Sequence, residues 1–163
     1  MPARLATISL ATLILVAVSS PAVRGDDSNL SRATLKGITS VFVVVENLDD
    51  DAKKIGLTEE SIKTDVELKL VLAGMSVATK GFEVPGNTYL YVNVGVLPRV
   101  AASIQVELNQ NVLQQRNGEP AFGATTWSLH GEITNPTPQR IRDFIKELVD
   151  QFLNAWLSVN SKK

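Results

Sequence analysis

Between Thr88 and Ile133, apolar and polar residues alternate through three segments separated by two turn signals, and this pattern constrains the fold more than any other. In Thr88–Leu97, the residues Leu90, Val92, Val94 and Val96 fall on one side at period two. In Ser103–Asn109, Ile104, Val106 and Leu108 alternate with Gln105, Glu107 and Asn109. In Thr125–Ile133, Trp127 and Leu129 alternate with Thr126, Ser128 and His130. Successive strand side chains point to opposite faces, so the pattern predicts three strands with one face on a core and one toward water. Asn117-Gly118 is a strong hairpin signal, and the weaker alternation between Asn109 and Gln115 predicts a bulge. The apolar face of such a sheet has to be covered by the rest of the chain.

Two segments can supply that cover. Thr58 is an N-cap candidate, Glu59 and Glu60 suit the positive end of a helix dipole, and Leu57 with Ile62 fits a hydrophobic staple. Ile62, Val66, Leu70 and Ala73 then share one helical face, with Glu59–Lys63 and Asp65–Lys69 as four-apart pairs and Gly74 just past the C-cap. The second helix starts at Thr137-Pro138, and its apolar stripe is Ile141, Ile145, Leu148, Phe152, Ala155, Trp156 and Val159. Leu35–Asn47, apolar at every position from Val41 to Val45, reads as an interior strand. Asp49–Lys54 reads as a charged loop. Met75–Ala78 reads as a short strand completing a βαβ unit. The predicted order is β-α-β-β-β-β-α, an α+β two-layer sandwich. Its mixed, mostly antiparallel sheet has about five strands, with two helices on one face.

The N-terminus has a different character. Arg4, an apolar run of 14 residues from Leu5 to Val18 and a small-residue stretch from Ser19 to Gly25 form the pattern of a secretory leader. A run of that length is short of the roughly 20 residues a spanning helix needs. Cleavage is expected after Gly25 or after Ala22, with retention as an uncleaved N-terminal anchor the alternative, giving a leader over 1–25, a mobile lead-in over 26–34, one domain over 35–160 and a tail over 161–163. The chain has no cysteine, which removes disulfides, thiolate chemistry and a lipid-attachment site. Beyond residue 25, 14 basic residues stand against 17 acidic ones, with no basic excess to recruit nucleic acid. A periplasmic or secreted location follows, with no membrane span after cleavage.

The chemistry-bearing residues are sparse. His130 is the only histidine, and no second histidine or cysteine can join it in general base or nucleophile work. Asp49–Asp51 lacks the spacing and glycine of a calcium loop. The glycines do not form a phosphate loop or a nucleophile elbow. Neither a cofactor nor a metal is expected. The water-facing side of the predicted sheet remains, with Tyr89, Tyr91, Asn93, Gln105, Glu107, Asn109, Thr126, Ser128 and His130. Tyr and Asn combine apolar area with hydrogen bonding at low entropic cost, which suits a binding surface.

Strand, helix closing as Val66-x-x-x-Leu70-x-x-Ala73-Gly74-x-x-Val77, hairpin strands and long terminal helix together resemble small bacterial envelope-accessory domains. The lipopolysaccharide-assembly lipoproteins and the N-terminal domain of the Tol system's propeller protein are the families concerned, and the resemblance spans about residues 35 to 160. It implies an assembly or scaffolding role with protein partners and no catalysis. The missing lipid-attachment cysteine and the absence of a following propeller depart from those families. The expected function is a non-catalytic interaction module working through the open sheet face or an edge strand, with a protein partner or a second copy of the chain. One alternative is a carrier of a small apolar ligand between the sheet and the helix bearing Phe144, Phe152 and Trp156. Another is a hydrolase-type enzyme using His130.

Overall fold

A computed structural model describes residues 23–161. Residues 1–22 of the expected leader and 162–163 of the tail lie outside the described residues. The elements run β1 (Val23–Asp26), α1 (Asn29–Ala33), β2 (Ser40–Val45), α2 (Asp50–Lys54), α3 (Glu59–Leu72), β3 (Ser76–Val77), β4 (Tyr89–Leu97), β5 (Ala101–Leu113), β6 (Pro120–Thr134) and α4 (Pro138–Asn160). Two 3-10 turns, Gly81–Glu83 and Pro85–Asn87, lead into β4. The strands form one sheet in the order β1-β6-β5-β4-β2-β3. β2 runs parallel to β3 and β4, and the other pairs are antiparallel. This is the expected two-layer α+β sandwich, with six strands where the sequence pattern predicts about five.

Alternation sets the register. β4 buries Leu90, Val92, Val94 and Val96, opposite Leu108, Val106, Ile104 and Ala102 of β5. These join Trp127, Leu129 and the inward faces of α3 and α4 in one core. At its centre Phe152 of α4 meets Trp127 of β6 edge-on, with ring centroids 5.2 Å apart. Trp156, also buried, donates its indole N–H to the Ile38 carbonyl at 2.8 Å. Phe144 is buried too, so the aromatics on α4 are packed as core. The helix ends follow their sequence signals. The Thr58 and Thr137 hydroxyls accept from the Ser61 and Arg140 amides at 3.1 and 3.2 Å. Gly74, at φ 86°, closes α3 while the Met75 amide reaches back to the Leu70 carbonyl.

Four expectations change. First, the lead-in over 26–34 is built into the fold: β1 pairs with Ser128–Gly131, and α1 is capped by Ser28. Asp27 ties this segment down by accepting from the Trp127 indole at 2.8 Å and from Arg32 at 2.7 Å. Second, the charged loop over 49–54 is the short helix α2, because Asp49 Oδ1 caps the Ala52 amide at 2.6 Å and Ala52 is buried. Third, strand structure in the first apolar run begins at Ser40, and Leu35 is buried in the turn after α1. Val41 and Val43 enter the core. Phe42 turns to the other side, where the Lys63 ammonium lies 5.1 Å from its ring centroid. Fourth, the α3 charges do not pair as Glu59–Lys63 and Asp65–Lys69. Asp65 takes Arg142 of α4 at 2.7 Å, Lys69 meets Asp150 of α4, and Glu59 lies 3.4 Å from Lys53. Packing α3 beside α4 brings opposite charges closer than a helical turn does.

Candidate functional site

Among the described residues, both long helices, α3 and α4, lie on one side of the sheet, which leaves the other side of β4, β5 and β6 open. Register assembles the surface there. Tyr89, Tyr91 and Asn93 of β4 stand opposite Asn109, Glu107 and Gln105 of β5. Gln105 and Glu107 in turn stand opposite His130 and Ser128 of β6. Of the nine expected residues, the structure brings eight together on this face.

Thr126 is the exception. The ladder jumps from Leu108↔Trp127 to Asn109↔Thr125, so Thr126 is the extra residue of a bulge. Its hydroxyl accepts from Gln110 Nε2 at 2.9 Å, and Gln110 also donates to the Thr34 carbonyl behind α1. Thr125 takes its place on the open face, donating to Asn109 Oδ1 at 2.7 Å. The predicted bulge lies just before and within the expected stretch, between Leu108 and Val112.

The surface is tied together by its own hydrogen bonds. The Tyr91 hydroxyl donates to Glu46 Oε2 and receives Asn93 Nδ2 at 3.4 Å. Gln105 Nε2 donates to Glu107 Oε1 at 2.6 Å. The Asn93 amide lowers the Tyr91 pKa. The Glu46 carboxylate holding its proton, burial, and the charges of Glu46 and Glu107 outweigh that effect and raise it. Beside this network lies a depression of about 330 Å³, lined by Asn93, Ser103, Gln105, His130, Gly131 and Glu132. Its volume is at the lower end of small-ligand clefts. A second hollow, about 280 Å³, adjoins it between Arg24, His130, Glu132 and Thr134.

Ser103 and Glu132 share the parity of Gln105 and His130, so alternation alone could have found them. Glu46 could not be found that way, because it reaches Tyr91 only through the parallel pairing of β2 with β4. Arg24 and Asp26 join the face because β1 pairs Arg24 with His130 and Asp26 with Ser128. Among the described residues, the charged strand and strand-end side chains here are thus Asp26, Glu46, Glu107 and Glu132 against Arg24. Among the described residues, no three His, Asp or Glu side chains gather where a metal ion could bind. No helix among them is long and apolar enough to cross a membrane.

Fold and surface together define an α+β sandwich with an open, polar sheet face. No family model matches the chain, and no curated protein matches it either. Among solved structures, it is similar to PelC from Paraburkholderia phytofirmans, determined as a dodecamer. One PelC structure shares 17% identity at a TM-score of 0.48, covering 84% of this chain and 97% of that chain. A variant of it shares 16% at 0.46, covering 88% and 100%. A minor lipoprotein from Acinetobacter baumannii shares 14% at 0.33, covering 72% and 91%.

Proposed function

We propose that this chain is a non-catalytic, exported binding module that takes a protein partner on its open sheet face. A role in envelope assembly fits that activity. The observation that carries the reading is the composition of the face: two tyrosines, amide side chains and four carboxylates opposed by one arginine. Tyr91, Asn93, Gln105, Asn109 and Thr125 are held by one another and by Glu46 and Glu107, so docking costs little ordering of those side chains. The excess of carboxylates favours a partner that presents basic groups, since complementary charge steers encounter and rejects wrong partners.

Photo-crosslinkers placed at Tyr91 and at His130 test this in the native host. The expected result is one common adduct from both positions, absent from a probe at exposed Leu72 on α3 and weakened by Glu132→Lys. Association that ignores substitution at Tyr89, Tyr91 and His130 alike overturns the reading.

The sheet edge supports a second reading. β3 pairs with Ser40 and Val41 alone, so among the described residues the backbone of Val43–Val45 beyond it has no strand partner on that side. A groove of about 270 Å³ runs there between Phe42–Val45 and Glu59, Glu60 and Lys63. The Phe42 and Glu46 amides donate to the Thr88 and Val92 carbonyls on the β4 side, which turns the Val45 amide toward the free edge. A partner adding a strand here would lose binding on Val45→Pro, whereas a partner on the open face would not.

A further inference from the structure

The expected leader ends in two consecutive pairs that suit a cleavage site, Ser20/Ala22 and Val23/Gly25, and either could direct its removal. The fold separates them. Val23–Asp26 is a strand of the sheet, paired in register with Gly131, His130, Leu129 and Ser128. Gly25 sits in it at φ 150°, and a Cβ added there would lie 2.1 Å from the Ser128 carbonyl oxygen and 2.7 Å from Leu129 Cα. Only glycine fits against the neighbouring backbone at that distance. A residue whose missing side chain is demanded by the finished sheet belongs to the folded domain and not to a discarded leader. The strand is also anchored directly behind Gly25. The Asp26 amide faces Ser128 Oγ at 3.5 Å, and Asp27 takes the Trp127 and Arg32 donors.

We propose that the leader is removed by hydrolysis of the Ala22–Val23 peptide bond, so that Val23–Asp26 enters the mature protein as the edge strand of the sheet. The host's leader-processing protease would supply the catalysis. Water provides the hydroxyl that makes the Ala22 carboxylate and the proton that makes the Val23 amine. Cleavage after Gly25 would instead delete three of the four β1 residues and bare the outer edge of β6 from Leu129 to Gly131. An unpaired edge of that kind is a template for unwanted strand addition. Cleavage at Val23 also sets the new amino terminus opposite Gly131, between His130 and Glu132 of β6 and beside the open face. The inference concerns processing, and it is independent of any partner.

The test is the intact mass of the full chain after export. The expected product begins at Val23, Gly25→Ala makes the mature protein heavier by one methylene and lowers its thermal midpoint, and Ala22→Tyr leaves the leader attached. A product beginning at Asp26 overturns the proposal, because residue 25 would then be discarded and Gly25→Ala would leave the mature mass unchanged. Wild-type protein that keeps Met1 overturns it as well. Should Gly25→Ala fail to accumulate, the wild-type mass and Ala22→Tyr still decide, since residue 22 precedes the strand.

Discussion

Asp27 joins the N-terminal strand to the core, and its replacement by two different residues makes a graded test. Its Oδ1 accepts from the Trp127 indole at 2.8 Å and from Arg32 Nε at 2.7 Å. Trp127 is fully buried, so Asp27→Ala strands an indole N–H away from water, at about 1–3 kcal/mol. The Arg32 pair adds less, because that side chain is 37% exposed and exposed pairs are worth about 0–1 kcal/mol. Asp27→Ala should therefore cost about 1–4 kcal/mol in urea denaturation at neutral pH, with an unchanged m-value. Asp27→Asn keeps an oxygen for the indole and loses only the charge, so about 1 kcal/mol is expected. In a Trp127→Phe background the cost of Asp27→Ala should fall by the share of the indole bond. If the Ala and Asn variants are equally stable, the indole bond does not hold the strand and the reasoning fails. A pH series adds a sign test. Hydrogen bonding from Arg32 first, then from Trp127, holds the Asp27 carboxyl below its ordinary value against the opposing effect of burial. Its stabilisation is thus complete above the unfolded value of about 3.9 and is lost as pH falls through the lower folded value. The gap between wild type and Asp27→Asn should stay level near neutrality and close below about pH 4.

Three other outcomes follow from the packing. Trp156→Ala and Phe152→Ala should each cost about 3–5 kcal/mol as large aromatic core deletions, and an unchanged denaturation midpoint for either would mean that α4 is not docked on the sheet. Gly74→Ala should cost about 1 kcal/mol, all of it from the left-handed backbone, since nothing lies within 4 Å of an added Cβ; a larger loss would point to an unseen contact. Tyr91→Ala should keep a cooperative melt while weakening partner association by more than about 1 kcal/mol, and loss of folding instead would make Tyr91 a structural residue.

Local pattern and nearest-neighbour chemistry were legible in the residues themselves. The alternation of Leu90–Val96, Ile104–Leu108 and Trp127–Leu129 reads the same in the chain and in the sheet, because a strand presents its own residues at period two whatever lies beside it. Thr58, Thr137 and Gly74 likewise end helices by contacts within a few residues. Most of the open face was found by the same parity, and Thr126 was misassigned because one extra residue in a bulge reverses parity locally. Charge alone makes Asp49–Lys54 look like a loop, although the Asp49 cap and buried Ala52 make it a helix.

Which strands lie side by side, and so which side chains meet, was decided only by tertiary structure. The pairing of β2 with β4 brings Glu46 to Tyr91, α3 beside α4 redirects Asp65 to Arg142, and β1 along β6 carries Arg24 and Asp26 onto the open face. Each of these joins residues 45 to more than 100 positions apart. Periodicity records what faces a core along one segment. It carries no record of which other segment forms that core's neighbouring wall, because that depends on the free energy of packing the whole chain at once.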